Sequence, residues 1–317
     1  MDVMFYEAFA EEQGALEQRL PPSVIAGFTP QTIQETRHKT PPAALISVRT
    51  QSVIPPDWGP LLDGILSRTT GFDHLVSYRA ASGEDLPCGY LEDYCSRAVA
   101  EQAVLFMMVL LRKLPLQQTQ FDVFDRNGLT GREAKGRRAL VVGVGRIGSE
   151  IAGILEALGM EVRGVDIAPK REMTYVSFEE GMAWAEVVFF AVPLTEETRG
   201  MLTREILASN EQKPLIINVA RGEITPVPVL LRLMQEERLG GVGLDVFSDE
   251  AVIAGSLRSP GGYNPVVNEV YQLKMMDNVI LTPHNAFNTQ EAVARKAEQT
   301  VRSLEMFLSE RRFVNMV

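Results

Sequence analysis

Three side chains of different chemistry follow short apolar runs in the second half of the chain. Arg221 follows the run 215–219, Glu250 follows 242–246, and His284 follows 279–281. If the runs are parallel strands, ligands meet them beyond their carboxyl ends, where these residues stand. An arginine offers a planar fork for a carboxylate and polarises the carbonyl beside it. A histidine titrates near neutrality and can protonate a developing alkoxide. A glutamate bonded to that histidine would fix its tautomer and favour the charged ring. Together the three suit reduction of a 2-oxo acid to a 2-hydroxy acid. Alone, each has a bland reading. Arg221 could cap a strand, and Glu250, beside Asp249, could belong to a solvated acidic loop; the shared position at strand ends favours chemistry.

Such a reduction needs a hydride carrier, and residues 138–166 supply a place for one. An apolar run, 139–142, enters Gly143-Val144-Gly145-Arg146-Ile147-Gly148. Apolar residues then recur at Ile147, Ile151, Ile154, Leu155 and Leu158, the period of a buried helix face. Gly159 stops that helix, and 162–165 reads as a strand ending at Asp166. Strand, glycine turn, helix, strand and acid form the dinucleotide-binding fingerprint. The glycines permit a tight turn and close approach to a pyrophosphate, whose charge the helix N-terminus favours. Asp166 can accept both ribose hydroxyls and would repel a 2′-phosphate, so the expected cofactor is NAD.

The elements needed to hold these groups alternate along the whole chain. Strand candidates at 3–6, 24–28, 44–48, 65–67 and 86–90 predict a small α/β domain. A helix over 97–114, with Ser96 as cap and Pro115 as stop, is apolar nearly all round and must be buried. Further buried strands are expected at 187–192, 215–219, 242–246 and 279–281, and a last helix over about 289–308. Residues 251–274 lack periodicity and read as a loop excursion. The 317 residues exceed one ordinary core and predict two domains.

Composition excludes other classes. The net charge of −10 argues against nucleic acid or an anionic membrane as partner. The longest apolar run, 103–111, is too short to span a bilayer. Cys88 and Cys95 lack metal-ligand spacing, no metal is expected, and two thiols suggest a reducing cytoplasm.

In these motifs and those below, the chain resembles the D-isomer-specific 2-hydroxyacid dehydrogenases over nearly its whole length. The resemblance rests on Val142–Gly148, Val192-Pro193-Leu194-Thr195, Asn218-Val219-Ala220-Arg221-Gly222, Gly243-Leu244-Asp245-Val246-Phe247 and Thr282-Pro283-His284. It implies a Rossmann-type doubly wound NAD domain, 101–284, inserted into a smaller flavodoxin-like α/β domain of 1–100 plus 285–317. It gives Arg221, Glu250 and His284 the catalytic roles. Gly143, Gly145, Arg146, Ile147, Gly148, Asp166, Val192, Pro193, Ala220 and Asp245 would hold NAD. Finer features are similar to the D-lactate dehydrogenase branch: Phe5-Tyr6-Glu7, Gly128 to Glu133, and His284-Asn285-Ala286-Phe287. By that similarity Tyr94 and Phe287 face the substrate, and the Thr70 and Gly71 amides hold its carboxylate; Arg49-Thr50 resembles another loop beside the substrate. The expected substrate is a small 2-oxo or 2-hydroxy acid, and the expected assembly is a homodimer paired through the helix 97–114. The alternatives are a bulkier 2-oxo acid, phosphoglycerate or an inorganic oxyanion as substrate, or an NAD(H)-sensing binding protein. The chain departs from the pattern at Ile224-Thr225-Pro226, at Ala251 after Glu250, and in a long stretch from 250 to 278. His74 is expected to cap or pack locally.

Overall fold

A computed structural model describes residues 1–258 and 264–317. The chain divides into two compact units, Met1–Cys95 with Asn288–Val317, and Ser96–Phe287.

In the first unit five parallel strands, β1 (Val3–Phe5), β2 (Ala26–Phe28), β3 (Leu45–Val48), β4 (Gly64–Ser67) and β5 (Cys88–Gly89), stand in the order β2-β1-β3-β4-β5. That is the flavodoxin-like order, with its reversal between β1 and β3. β1, β3, β4 and β5 are buried along their whole length, as apolar runs in a sheet covered on both faces must be. The unit closes only when its C-terminal helix, Gln290–Glu310, returns to the N-terminal part of the chain. Thr289 caps that helix by accepting from the Ala292 amide.

A buried charge cluster fixes the return. Glu12, Arg68 and Lys296 are fully buried. Glu12 Oε1 lies 2.8 Å from Arg68 Nε and 2.6 Å from Lys296 Nζ. Arg68 also donates to Ser47 Oγ at 3.0 Å and to the Tyr6 carbonyl at 2.6 Å. Burial alone would raise the Glu12 carboxyl, but Arg68, Lys296 and Arg49 outweigh it and hold it at about 2. The same imbalance of cations over acids works on Lys296. Burial, then the repulsion of Arg49 and Arg68, lowers it to about 7 against the pull of Glu12.

In the second unit seven parallel strands are β6 (Arg138–Val142), β7 (Glu161–Val165), β8 (Thr174–Tyr175), β9 (Val187–Phe190), β10 (Leu215–Asn218), β11 (Gly241–Leu244) and β12 (Val279–Leu281). Their order, β12-β11-β10-β9-β6-β7-β8, reverses direction between β6 and β9, as in a doubly wound dinucleotide-binding sheet. Leu140, Val142, Val188, Phe190, Ile216, Val242 and Leu244 form the centre of its core. The helix Ser96–Leu111 packs on the helix Arg146–Ala157 and on β10 and β11, which covers most of its apolar surface and leaves Leu105 half exposed.

Two expectations need correction. Pro115 does not simply stop a helix: it lies in the first turn of a second one, Leu114–Phe121, where a missing N–H costs nothing. The stretch read as a loop, 251–274, contains the helices Glu250–Arg258 and Pro265–Lys274; residues 259–263 of that reading lie outside the described residues. Both helices are short and mostly exposed, so their apolar stripe is too sparse to show in the sequence.

The Glu12 cluster predicts how the fold responds to acid. Because the folded-state value of Glu12 lies below its ordinary 4.5, its contribution is full above that value and is lost as pH falls through about 2. Glu12→Gln leaves the buried Arg68 without its acid and removes the pull that favours the charged form of Lys296, and should cost about 3–5 kcal/mol in urea unfolding near neutral pH. An unchanged unfolding midpoint would show that the cluster is not a stabilising centre.

Candidate functional site

The glycine loop leaves β6 at Val142 and reaches the helix Arg146–Ala157. Gly143 has φ +88, which an L side chain rarely adopts. A Cβ on Gly148 would sit 1.8 Å from the Gly143 carbonyl oxygen, so helix and strand meet this closely only with glycine there. Around Gly145 a Cβ would meet nothing within 4 Å; Gly145 and Arg146 are exposed at the helix N-terminus, and Ile147 is half-buried behind them. Open space before a helix N-terminus is what a pyrophosphate requires. The wall across the reversal point is Val192, whose Cγ1 would lie 2.7 Å from a Cβ on Gly143, followed by exposed Pro193.

Asp166, one residue beyond β7, is tied to the same loop. Its Oδ2 accepts from the Val144 amide at 2.7 Å and its Oδ1 from the Ala168 amide at 2.8 Å. Each oxygen keeps lone pairs for a ribose hydroxyl. Of the two cations that follow, Arg171 is turned back onto the helix, donating to Glu156 Oε2 at 2.5 Å and to the Ser149 carbonyl at 3.4 Å. Lys170 is exposed.

The second group of residues lies at the carboxyl ends of β10, β11 and β12, three neighbours in the sheet. Buried Asn218 ends β10 and shapes the turn after it. Its Oδ1 accepts from the Ala220 amide at 2.9 Å, and its Nδ2 donates to the Arg221 carbonyl at 2.8 Å and to Thr225 Oγ1 at 2.7 Å. Gly222 cannot be larger, since a Cβ would come within 1.9 Å of the Phe247 carbonyl carbon. Arg221 is thereby presented beside the loop that follows β11. Its Nη1 donates to the Ala220 carbonyl at 2.8 Å.

His284 meets Glu250 directly, with Nδ1 2.8 Å from Oε2 and both side chains about one-fifth exposed, at 21% and 19%. His284 has φ +51, an unfavourable conformation for a side chain this size, and the surrounding bonds hold it there. Asp245 supplies them. It is 1% exposed; its Oδ1 accepts from Thr282 Oγ1 at 2.5 Å and the Asn285 amide at 2.8 Å, its Oδ2 accepts from the Ala286 amide at 2.9 Å, and its carbonyl accepts from the His284 amide at 2.8 Å. The Asp245 carboxylate thus braces the histidine loop from inside. Phe287 ends that loop and is buried.

The residues expected at the substrate also occur in the first unit. Thr70 and Gly71 follow β4 and are half-buried. Tyr94 is buried, and that burial puts its phenol well above the ordinary value. The C-terminal helix holds it twice: Arg295 Nε donates to the Tyr94 carbonyl at 2.8 Å, and Lys296 Nζ lies 5.8 Å from its ring centre. Lys296 was missed in the sequence, although a signal existed. A lysine stands among the buried positions Ala292, Val293, Ala297, Thr300, Val301 and Leu304 of that helix, where a long solvated side chain does not belong.

Among the described residues no group of three or more His, Cys, Asp or Glu is placed to hold a metal, and no helix is long and apolar enough to cross a membrane. Cys88 and Cys95 are free and buried.

Comparison with known proteins fits this geometry. Residues 104–286 match the family model described as D-isomer specific 2-hydroxyacid dehydrogenase, NAD binding domain. A 2-hydroxyacid dehydrogenase homolog of Schizosaccharomyces pombe is 30% identical over 260 residues, 78% of this chain and 76% of that protein. An aromatic 2-oxoacid reductase of Clostridium sporogenes is 28% identical over 256 residues, covering 77% and 75%. Among solved structures, D-lactate dehydrogenase of Aquifex aeolicus in complex with NAD and lactic acid has a TM-score of 0.84 and 27% identity, over 99% of each chain.

The Asp166 geometry predicts a strong preference for NADH over NADPH, with kcat/KM at least about tenfold apart, because a carboxylate stands where the 2′-phosphate would lie. Asp166→Ala should lose most of that preference. Equal use of both cofactors by the unmodified enzyme would mean that Lys170 captures the phosphate.

Proposed function

We propose that this chain, which belongs to the D-isomer-specific 2-hydroxyacid dehydrogenase family and binds NAD, interconverts a small 2-oxo acid and its D-2-hydroxy acid, with pyruvate and D-lactate as the model pair. The observation that carries the reading is the 2.8 Å contact of His284 Nδ1 with Glu250 Oε2, two strands from Arg221 in one sheet edge. NADH, when bound, supplies the hydride for C2. Arg221 pairs with the substrate carboxylate and draws electron density from the neighbouring carbonyl. His284 gives the Nε2 proton to the oxygen that becomes the hydroxyl. Glu250 keeps Nδ1 protonated and offsets the positive charge of the ring before transfer. In the reverse direction the neutral ring takes that proton back.

Support for a small substrate comes from two sources. Phe287, three residues after His284, is a bulky group on the same braced loop, and the Aquifex aeolicus enzyme, similar over nearly all of both chains, was solved with lactic acid. The aromatic 2-oxoacid reductase among the relatives makes a larger substrate the rival. A panel of 2-oxo acids of graded size, followed by loss of NADH absorbance, decides between them. Pyruvate should lead, and Phe287→Ala should raise the relative rate on phenylpyruvate. A wild-type preference for phenylpyruvate or a branched acid would sink the small-substrate reading. In the same assay Glu250→Gln should lower kcat for pyruvate reduction by about a hundredfold, since a neutral amide no longer offsets the charge of the proton-donating ring.

A cytoplasmic location and a homodimer belong to the same reading. Phe121, Val123 and Phe124 are 71%, 77% and 71% exposed, an apolar face that a second copy would cover. Sedimentation should give a species near twice 35.1 kDa; a species at the single-chain mass would leave that face unexplained and reject the dimer.

A further inference from the structure

His74 stands in the first turn of the helix Asp73–Ser82, beyond the loop that carries Thr70 and Gly71. Its Nε2 lies 2.9 Å from Ser67 Oγ; Ser67 Oγ lies 2.6 Å from Thr69 Oγ1; and Thr69 Oγ1 lies 2.7 Å from the Gly71 carbonyl oxygen. Ser67 and Thr69 are buried. The four groups form one continuous chain of hydrogen bonds from the imidazole to the Gly71 peptide.

The chain has only one possible direction. A carbonyl oxygen can only accept, so Thr69 must give its single hydroxyl proton to Gly71. Thr69 then accepts from Ser67, which leaves Ser67 no proton for His74. Ser67 must therefore accept from His74, and Nε2 must carry the proton. The neutral Nε2–H tautomer and the imidazolium both satisfy this; the Nδ1–H tautomer would set two lone pairs against each other at 2.9 Å. The carbonyl at the far end thus fixes the donor in both the Ser67–Thr69 and the His74–Ser67 bond.

The closed turn has a consequence for the loop. With the Gly71 carbonyl held back toward Thr69, and Arg68 fixed on Glu12, Ser47 and Tyr6, the backbone of 68–71 is anchored at both ends. Among the described residues neither the Thr70 nor the Gly71 amide donates a hydrogen bond, and both residues are half-buried. Two adjacent unsatisfied N–H groups on a fixed turn are a receptor for a carboxylate.

We propose that His74 is a positioning residue for substrate binding: acting through Ser67 and Thr69, it orients the Thr70 and Gly71 amides that receive the substrate carboxylate. It touches no reacting atom. The inference rests on the 2-oxo acid reading above. Removing the relay costs the order of the amides and so weakens binding of the acid, while the chemistry at His284 and the NADH site is untouched.

The test uses oxamate, an unreactive 2-oxo acid mimic, with the full chain and saturating NADH. His74→Phe and Thr69→Val should each raise the oxamate Kd and the pyruvate KM by about tenfold, with kcat and the NADH Kd within about twofold. The double variant should be no worse than either single one, because both cut one chain. Thr69→Ser, which keeps the hydroxyl, should restore the wild-type oxamate Kd, and His74→Gln, which keeps a donor, should fall between. Should His74→Phe not fold, the Thr69→Val and Thr69→Ser pair carries the same test, with NADH binding as the check on integrity. Unchanged oxamate Kd in the single variants, or effects that multiply in the double variant, would overturn the relay. A wild type that neither binds oxamate nor reduces any 2-oxo acid would overturn the proposed reaction, and this inference with it.

Discussion

A parallel strand covered on both faces has no place for an unpaired polar side chain along its length, because such a group buried there costs more than its packing returns; Ser47 and Ser67 fit because they are hydrogen-bonded. Polar chemistry is therefore displaced to the carboxyl ends of the strands. In the second unit this puts the glycine loop after β6, Asp166 after β7, and Arg221, Glu250 and His284 after β10, β11 and β12. In the first unit it puts Glu7, Arg49 and the loop from Arg68 to Gly71 after β1, β3 and β4. The apolar runs and the reactive groups are two results of one constraint.

The loops at those ends are not left to their own propensities. Three of them are held by a buried acid or amide whose hydrogen bonds run to backbone groups. Asn218 frames the turn of Arg221, Asp245 frames the loop of His284, and Glu7 accepts from the amides of Arg49, Gln51 and Ser52 at 3.0–3.1 Å. Such groups stabilise the fold modestly but fix geometry sharply, since their lone pairs are satisfied by only one loop conformation. His284 in the left-handed region is the clearest case: its conformation is unfavourable locally and is imposed by Asp245 and Thr282.

Charge in the first unit follows a different rule. Glu12, Arg68 and Lys296 come from three distant parts of the chain and meet without solvent. One acid shared by several cations keeps its own charge firmly and leaves the lysine only loosely protonated. The arrangement joins the C-terminal helix to the start of the chain and places Lys296 near the Tyr94 ring.

Much of this was legible in the sequence. Gly143, Gly145 and Gly148 with Asp166 signal a dinucleotide because each residue type is required by backbone geometry or by charge within about thirty residues, and local spacing survives in a linear string. Arg221, Glu250 and His284 could be placed at strand ends because apolar runs mark the strands. The tertiary structure alone decided what depends on approach between distant segments. It made the Asp245 carboxylate a brace of the His284 loop, put Pro115 in the first turn of a new helix, and placed the helices Glu250–Arg258 and Pro265–Lys274 where the sequence read as a loop. It brought Lys296 to Glu12 across most of the chain, and it set the hydroxyls of Ser67 and Thr69 between His74 and Gly71. A hydrogen bond is a matter of a few tenths of an ångström and of direction, and neither is written in the order of the residues.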